Sequence, residues 1–176
     1  ASHSNLVVQK FVQQHSFMAN FTNSCVNTMR IVTLIWEGEV KVTTAVLIMG
    51  GPTAKTNHLH SGGIVCGILP DGHLRHTAFD GHLNAYQEHP NGIRFADVQI
   101  PNYDKCLELV KRLAPRMAGV SKLLNWDLTL DENGEPLLIE VNLTWGGSVQ
   151  IAAGPAFGEL TKDVLDYVKK NGRWKV

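Results

Sequence analysis

The sequence predicts an α+β fold in which a mostly antiparallel sheet is packed by helices on one face. Short β-rich runs follow one another in pairs joined by turn residues, which is typical of hairpins. Two longer segments, 103–117 and 159–170, carry apolar residues at helical spacing. Strands and helices do not alternate as βαβ units, which argues against a doubly wound parallel sheet. A chain of 176 residues with 44% hydrophobic residues is long and apolar enough for one domain, residues 1–176.

The first half of the chain is predicted to consist mainly of strands. Runs of β-branched and apolar residues lie at 6–13, 27–36, 40–49, 64–69 and 73–79. Glu37-Gly38-Glu39 separates the second run from the third and suits a tight hairpin turn. Residues 16–24 are predicted as a short helix or turn, with Ser16 available as its cap.

The second half combines two helices with a further hairpin. In chain order the predicted elements are a helix, two strands and a closing helix, at residues 103–117, 122–130, 135–142 and 159–170. Pro115 is expected to kink or end the first of these helices. The polar stretch 80–101 is predicted as a long loop, and loops of that length are usually functional or mobile. Residues 145–158 are rich in glycine and are predicted to be irregular.

Composition excludes several classes of partner. The chain has 16 basic and 16 acidic residues, so its formal charge of zero gives no indication of nucleic-acid binding. No apolar run has the length that a membrane span requires. Three widely spaced cysteines indicate neither a disulfide framework nor a zinc site. Reduced thiols are typical of the cytoplasm, which is the expected location.

The hairpin at 122–142 places oxygen-bearing side chains inside apolar strands. Asp127 lies in the first strand, and Glu140 and Asn142 follow an apolar triplet in the second. Residues two apart share a strand face, and the turn folds Asp127 back beside the other two. Two buried carboxylates are unfavourable without a cation, and three hard oxygen donors suit Mg²⁺. The alternative is a polar strip that faces solvent.

Two other segments carry groups that suit an anion. Thr28 and Arg30 share a face of a predicted strand, and a guanidinium group matches phosphate oxygens well. A cross-strand ion pair is the alternative explanation for Arg30. The backbone N–H groups of residues 61–63 (Ser-Gly-Gly) suit an anion, although such glycine pairs are often only turns. His58 and His60 suit a transition metal but lack an evident third ligand.

Taken together, these residues resemble the ATP-grasp superfamily, and most of all its sugar-transfer-associated and alpha-L-glutamate-ligase-like members. The resemblance covers about residues 7–168 and is strongest at residues 8–15, 26–34, 61–64, 125–127 and 139–142. It implies the carboxyl-terminal lobe of the ATP-grasp fold. The amino-terminal domain and the central lid, which carries lysines for the α- and β-phosphates, are expected to be absent from the chain.

The resemblance also implies roles for individual residues. Asp127, Glu140 and Asn142 would be the ligands of Mg²⁺. Arg30 would be the catalytic residue, in contact with the γ-phosphate or with an acylphosphate. The nucleotide-binding residues would be Gln9, Lys10, Phe11, Val12, Asn27 and Arg30. Gln9 departs from the family pattern, since relatives often carry Glu there.

The activity implied by the resemblance is an ATP- and Mg²⁺-dependent ligase. It would join a small or sugar-linked carboxylate to an amine or thiol through an acylphosphate, in polysaccharide biosynthesis. Without the lid, the chain alone is expected to be inactive. Two alternatives stay open: a non-catalytic module that binds a glycan or protein through residues 80–101, and a kinase that phosphorylates a sugar or small alcohol.

Overall fold

The computed structural model of the chain describes residues 10–51, 54–144, 146–147 and 149–172. The strands are β1 (Thr28–Trp36), β2 (Glu39–Met49), β3 (Ile64–Ile68), β4 (Leu74–Asp80), β5 (Ala85–Tyr86), β6 (Glu88–His89), β7 (Ile93–Arg94), β8 (Leu123–Leu130) and β9 (Pro136–Asn142). The helices are α1 (Ser16–Ala19), α2 (Tyr103–Leu113), α3 (Val149–Ala153) and α4 (Thr161–Asn171). A seven-stranded sheet has the order β5-β4-β3-β2-β1-β8-β9, while β6 and β7 pair separately. Neighbouring strands are antiparallel throughout, so the predicted α+β class is confirmed.

The central hairpin of the sheet forms as its turn residues predict. Glu37 and Gly38 connect β1 to β2 and have φ angles of 51° and 84°. Trp36 and Glu39 are paired on either side of them. A two-residue loop with both φ angles positive matches the right-handed twist of the strands. The tight turn predicted at this point is therefore confirmed.

The main core lies between α2 and one face of the sheet, called here the first face. Met29, Ile31 and Leu47 point to this face and are fully buried. Cys106 and Val110 of α2 are equally buried against them. The helix ends at Leu113 and continues as a 3₁₀ turn, Ala114–Met117, which contains Pro115. The proline removes a backbone donor, so the predicted break in the helix is confirmed.

The opposite face of the sheet, called here the second face, is also covered in part by helices. Val46 and Ile48 of β2 alternate with the first-face residues and pack against Val149 and Ala152 of α3. Farther along the sheet, the ring of Trp36 packs against the ring of Tyr167 of α4, with 5.8 Å between the ring centroids. Helices therefore lie on both faces rather than on one, because the glycine-rich stretch contains a short helix with an apolar side.

The segments before β1 differ from the prediction. Residues 6–9 of the predicted strand lie outside the described residues, and residues 10–13 are not in a strand. Gln14 forms an isolated bridge with Asp131. The cap of α1 is His15 rather than Ser16, because the Nδ1 atom of His15 accepts a hydrogen bond from the Phe17 backbone N–H at 3.2 Å.

The segment 80–101 is not an irregular loop. It contains β5, β6, β7 and a 3₁₀ turn, Phe95–Asp97. Phe95, Val98 and Ile100 are buried in the main core, and His89 is fully buried as well. These apolar anchors explain why a polar sequence forms an ordered part of the domain. Within the described residues, no helix has both the length and the apolar character of a membrane span.

Candidate functional site

A row of charged side chains crosses three neighbouring strands on the second face. Arg30 of β1 is paired with Asp127 of β8, and Asp127 is paired with Glu140 of β9. Directly opposed residues in antiparallel strands point to the same side, so the three side chains share a face. Asn142 lies two residues beyond Glu140 and shares it too. The structure thus brings together the four residues, called here the carboxylate row, for which metal and phosphate contacts were predicted.

Hydrogen bonds connect the members of the carboxylate row. Arg30 donates from Nε to Oδ1 of Asp127 at 2.7 Å and from Nη2 to Oδ2 at 2.6 Å, which is a bidentate pair. The Nδ2 atom of Asn142 donates to Oδ2 of Asp127 at 3.2 Å and to Oε1 of Glu140 at 2.9 Å. One amide group therefore reaches both carboxylates.

Burial makes it unfavourable to keep the groups of this cluster ionised. The side chain of Asp127 is only 7% exposed, and that of Arg30 is 19% exposed. Burial raises the pKa of Asp127, and the Arg30 guanidinium only partly opposes that effect. The hydrogen bond to Asp127 raises the pKa of Arg30, and the hydrogen bond from Asn142 lowers the pKa of Glu140. A cation added beside Asp127 would therefore stabilise its ionised form.

The donor set of the carboxylate row fits Mg²⁺. Asp127 and Glu140 offer carboxylate oxygens, and Asp127 has lone pairs beyond those that Arg30 uses. The amide of Asn142 donates from nitrogen here, and rotation about its last side-chain bond would present oxygen instead. Within the described part of the chain, no three His, Cys, Asp or Glu side chains form a metal-binding group. The row would supply two carboxylates and one carboxamide.

A cleft of about 640 Å³ opens above the carboxylate row. Arg30, Asp127 and Glu140 form part of its lining. Its other walls come from residues 24–26, which precede β1, and from residues 55–60. Ile48 of β2 and Val149 of α3 also line it, so the cleft lies on the second face beside the start of α3.

A second cavity, of about 460 Å³, adjoins the cleft because Phe11 and Ile139 line both. Lys10 and Val12 of the predicted hinge strand line the second cavity, together with Leu137 and Leu138 of β9. Phe11 is 76% exposed and the β9 residues are between 36% and 40% exposed. Lys10, Phe11 and Val12 therefore face an open cavity that also has polar walls at Gln13, Asp131 and Glu132. Gln9 lies outside the described residues.

Asn27 does not face either cavity. Its side chain is fully buried. Its Nδ2 atom donates to the carbonyl oxygens of Met18 at 2.8 Å and Thr22 at 3.0 Å. Its Oδ1 atom accepts from the backbone N–H of Gly50 at 3.0 Å. The side chain of Asn27 therefore holds three chain segments together, and its contact with a nucleotide stays a prediction.

The 3₁₀ turn at Leu59–Ser61 also differs from expectation. The backbone N–H groups of Ser61 and Gly63 donate to the His58 carbonyl at 2.9 and 3.0 Å. These donors are internal to the turn and do not face the cleft. Residues 55–60 line the cleft instead, and the sequence signal for this was the run Asn57-His58-Leu59-His60. Periodicity alone does not show which side of such a loop faces a site.

The antiparallel sheet with few helices has the architecture of an ATP-grasp lobe. The family model described as sugar-transfer associated ATP-grasp matches residues 1–165, and the chain belongs to this family. No curated protein and no solved structure matches the chain. Family membership places the protein among the ATP-binding proteins of a ligase-type superfamily.

Proposed function

We propose that the protein binds Mg²⁺-ATP across the two adjoining cavities and activates a carboxylate by phosphorylation. An amine or a thiol would then displace the phosphate. The observation that carries this proposal is the alignment of Arg30, Asp127 and Glu140 on three neighbouring strands, beneath an open cleft. Such a row combines a phosphate-binding cation with oxygen ligands for a metal.

The adenine base is proposed to occupy the smaller cavity. Its walls at residues 10–12 and at Leu137, Leu138 and Ile139 are largely apolar, and apolar walls favour a planar heterocycle. Because Phe11 and Ile139 also line the cleft, a nucleotide in the smaller cavity would extend its phosphates towards the carboxylate row.

Asp127, Glu140 and Asn142 are proposed to hold Mg²⁺. When bound there, the metal would neutralise negative charge on the nucleotide phosphates. Glu140 is suited to this role because the Asn142 hydrogen bond lowers the pKa of its carboxyl group in the absence of metal, and the metal would replace that hydrogen bond when Asn142 presents its oxygen. Asp127 is suited to it because its buried charge is only partly balanced by Arg30.

Arg30 is proposed to stabilise the transferred phosphoryl group. Its Nε–H and one Nη2–H are directed at Asp127, which fixes the guanidinium plane and leaves other N–H groups for phosphate oxygens. A substrate carboxylate oxygen attacks the γ-phosphorus, the bond to the β,γ-bridging oxygen breaks and ADP leaves. A nucleophile then attacks the acyl carbon, the bond to the phosphate oxygen breaks, and the nucleophile loses a proton. Arg30 acts in the first step by donating to oxygens whose charge increases.

The first test compares nucleotide binding by single variants of the carboxylate row. Asp127→Asn and Glu140→Gln remove a metal ligand with little change in shape, so affinity for Mg²⁺-ATP is expected to fall at least about tenfold. Asp163→Asn, an exposed change on α4, is the control and is expected to bind like the unmodified protein. Isothermal titration with and without EDTA measures the effect. Equal affinity in either carboxylate variant would contradict the metal assignment.

A second arm of this test identifies the chemistry. Hydroxylamine captures acylphosphates as hydroxamates, so a ligase is expected to form a hydroxamate and ADP in equal amounts with its carboxylate substrate. A sugar phosphate ester formed with ADP would favour the kinase alternative. Because the chain alone is expected to be inactive, this assay uses the full-length protein, in which Mg²⁺-ATP binding without ADP release from any tested carboxylate or sugar would favour a binding module.

A further inference from the structure

We propose that Lys55, His58 and His60 form a subsite for the carboxylate-bearing acceptor, beside the carboxylate row. This inference takes the class of ligand from the proposed function. It gives a substrate-binding role to residues for which neither the family match nor the sequence motifs indicate one. The three side chains, called here the basic wall, are exposed and line the 640 Å³ cleft. An ammonium group and two imidazole rings are suitable donors to a carboxylate.

The basic wall lies next to the place where the reaction would occur. It lines the same cleft as Arg30, Asp127 and Glu140, and it lines no part of the smaller cavity assigned to adenine. His58 and Glu140 are both among the residues that line this cleft. A ligand held by the basic wall would therefore lie near the γ-phosphate rather than near the base, which is where the attacking carboxylate belongs.

The loop that carries the basic wall is anchored to the sheet. Leu59, between the two histidines, packs against the apolar cluster under α3. The Nδ2 atom of Asn57 donates to Oγ1 of Thr28 at 2.8 Å, and Thr28 shares a strand face with Arg30. These contacts tie the loop to the strand that bears the proposed phosphate ligand.

Two close backbone approaches complete the anchoring. A Cβ atom on Gly63 would lie 2.3 Å from the Asn57 carbonyl oxygen, and one on Gly81 would lie 2.5 Å from the Leu59 carbonyl oxygen. Only glycine fits at either position without a backbone shift. The loop is therefore placed by packing on both sides, and this favours a preorganised binding surface over a freely moving polar loop.

The side chains of the basic wall are not engaged in stabilising ion pairs within the described part of the chain. None of its three side chains forms an ion pair with a described carboxylate. Its donors therefore stay accessible to a ligand. An anionic acceptor would gain from them, and an uncharged one would not.

The experiment titrates three carboxylates, namely acetate, L-glutamate and D-glucuronate, into the protein in the presence of Mg²⁺-ADP. D-glucose is the uncharged reference. Imidazole proton signals in NMR spectra report binding, and those of His58 and His60 are assigned by substitution. A saturable shift of the His58 signal is expected with at least one carboxylate and not with glucose. The double variant Lys55→Gln/His58→Gln is expected to lose at least about tenfold in that affinity.

Matched controls separate the subsite from general effects of charge. Lys111→Gln/His82→Gln removes the same two residue types from exposed positions elsewhere and is expected to bind like the unmodified protein. Absence of a saturable shift with all three carboxylates, or equal affinity in the Lys55/His58 variant, would overturn the proposal. A parallel tenfold loss of Mg²⁺-ADP affinity in that variant would also overturn it, because the basic wall would then serve the nucleotide. If Mg²⁺-ADP does not bind to the unmodified protein, the proposed function fails, whereas carboxylate binding that depends on Lys55 and His58 still supports the subsite.

Discussion

At the scale of single residues, Asn27 shows how a buried amide positions a site without entering it. It joins the backbone of Met18, Thr22 and Gly50, and it gives the buried N–H group of Gly50 its acceptor. Asn27→Ala is expected to lower the free energy of unfolding by about 1–3 kcal/mol, because it leaves the buried N–H group of Gly50 without an acceptor and removes one hydrogen bond each from the Met18 and Thr22 carbonyls. Urea unfolding measures the change. The exposed Asn23→Ala control is expected to stay within about 0.5 kcal/mol, and a similarly small effect at Asn27 would contradict the argument.

His89 gives the same region a dependence on pH. Its Nε2–H donates to the Gly50 carbonyl at 3.1 Å, and its Nδ1 accepts from the Asn91 backbone N–H at 3.3 Å. Burial lowers the pKa of His89 below its ordinary value of 6.5, so the unfolded chain binds more protons between the lowered pKa and 6.5. The stability that the neutral ring contributes is therefore present above pH 6.5 and is lost as the pH falls through the lowered pKa.

The pH prediction is checked by urea unfolding at several values between pH 5 and pH 8. The His89→Gln variant is expected to be less stable than the unmodified protein at pH 8 and to lose less stability on acidification, because it has no ring to protonate. His76→Gln, an exposed change on β4, is expected to retain the full pH dependence. Parallel pH profiles for the His89 variant and the unmodified protein would contradict the assignment.

At the scale of elements, the β1–β2 turn can be improved. Glu37 is exposed and has a φ angle of 51°, a left-handed conformation that glutamate disfavours and asparagine tolerates. Glu37→Asn creates an Asn-Gly turn and is expected to stabilise the protein by about 0.5–1 kcal/mol, measured by urea unfolding. Gly38→Ala, at a φ angle of 84°, is expected to destabilise it. Unchanged or reduced stability of the asparagine variant would show that the turn does not limit the hairpin.

Elements that are determined by neighbouring residues could be predicted from sequence. Elements that depend on contacts with residues far away in the chain could not. The β1–β2 turn and the break at Pro115 depend on neighbouring residues, so short motifs predict them. The convergence of Asp127 with Glu140 follows from one hairpin and was equally accessible. In contrast, α3 forms because Val149 meets apolar residues of β2 and β3, which are about a hundred residues away in the chain.

The candidate site follows the same division. Strand alternation and hairpin pairing predict that Asp127, Glu140 and Asn142 share one face, whereas the place of Arg30 beside them depends on the pairing of β1 with β8, which is not a hairpin. Neither rule predicts that Asn27 turns into the interior, because its partners Met18, Thr22 and Gly50 belong to irregular segments. Likewise, the loop that carries His58 is placed by Leu59 packing and by backbone approaches to Gly63, which depend on the assembled sheet. Site residues on paired strands can therefore be predicted from sequence more readily than site residues on loops.

At the scale of the whole molecule, the two faces of the sheet serve different purposes. The first face is covered by α2 over the main core, whereas the second face is covered in part by α3 and α4 and carries the cleft that Arg30, Asp127 and Glu140 line. The sheet is also asymmetric, since β1 lies inside it and β9 forms an edge beside the cavity proposed for adenine. We therefore expect stability to be concentrated in the inner strands, which include β1 and β8 with Arg30 and Asp127, and the edge strand β9 to be the less protected part.

Native-state hydrogen exchange tests this division. Amides of Met29 and Ile31 in β1 are expected to exchange only through global unfolding, and amides of β9 are expected to exchange faster through local opening at the sheet edge. Mg²⁺-ATP is expected to slow exchange in β9 and in residues 10–13, since both line the cavity proposed for adenine. The opposite edge strand, β5, is the internal control and is expected not to change. Protection that rises equally in β5 and β9 would indicate general stabilisation, and no rise in β9 would place the nucleotide elsewhere.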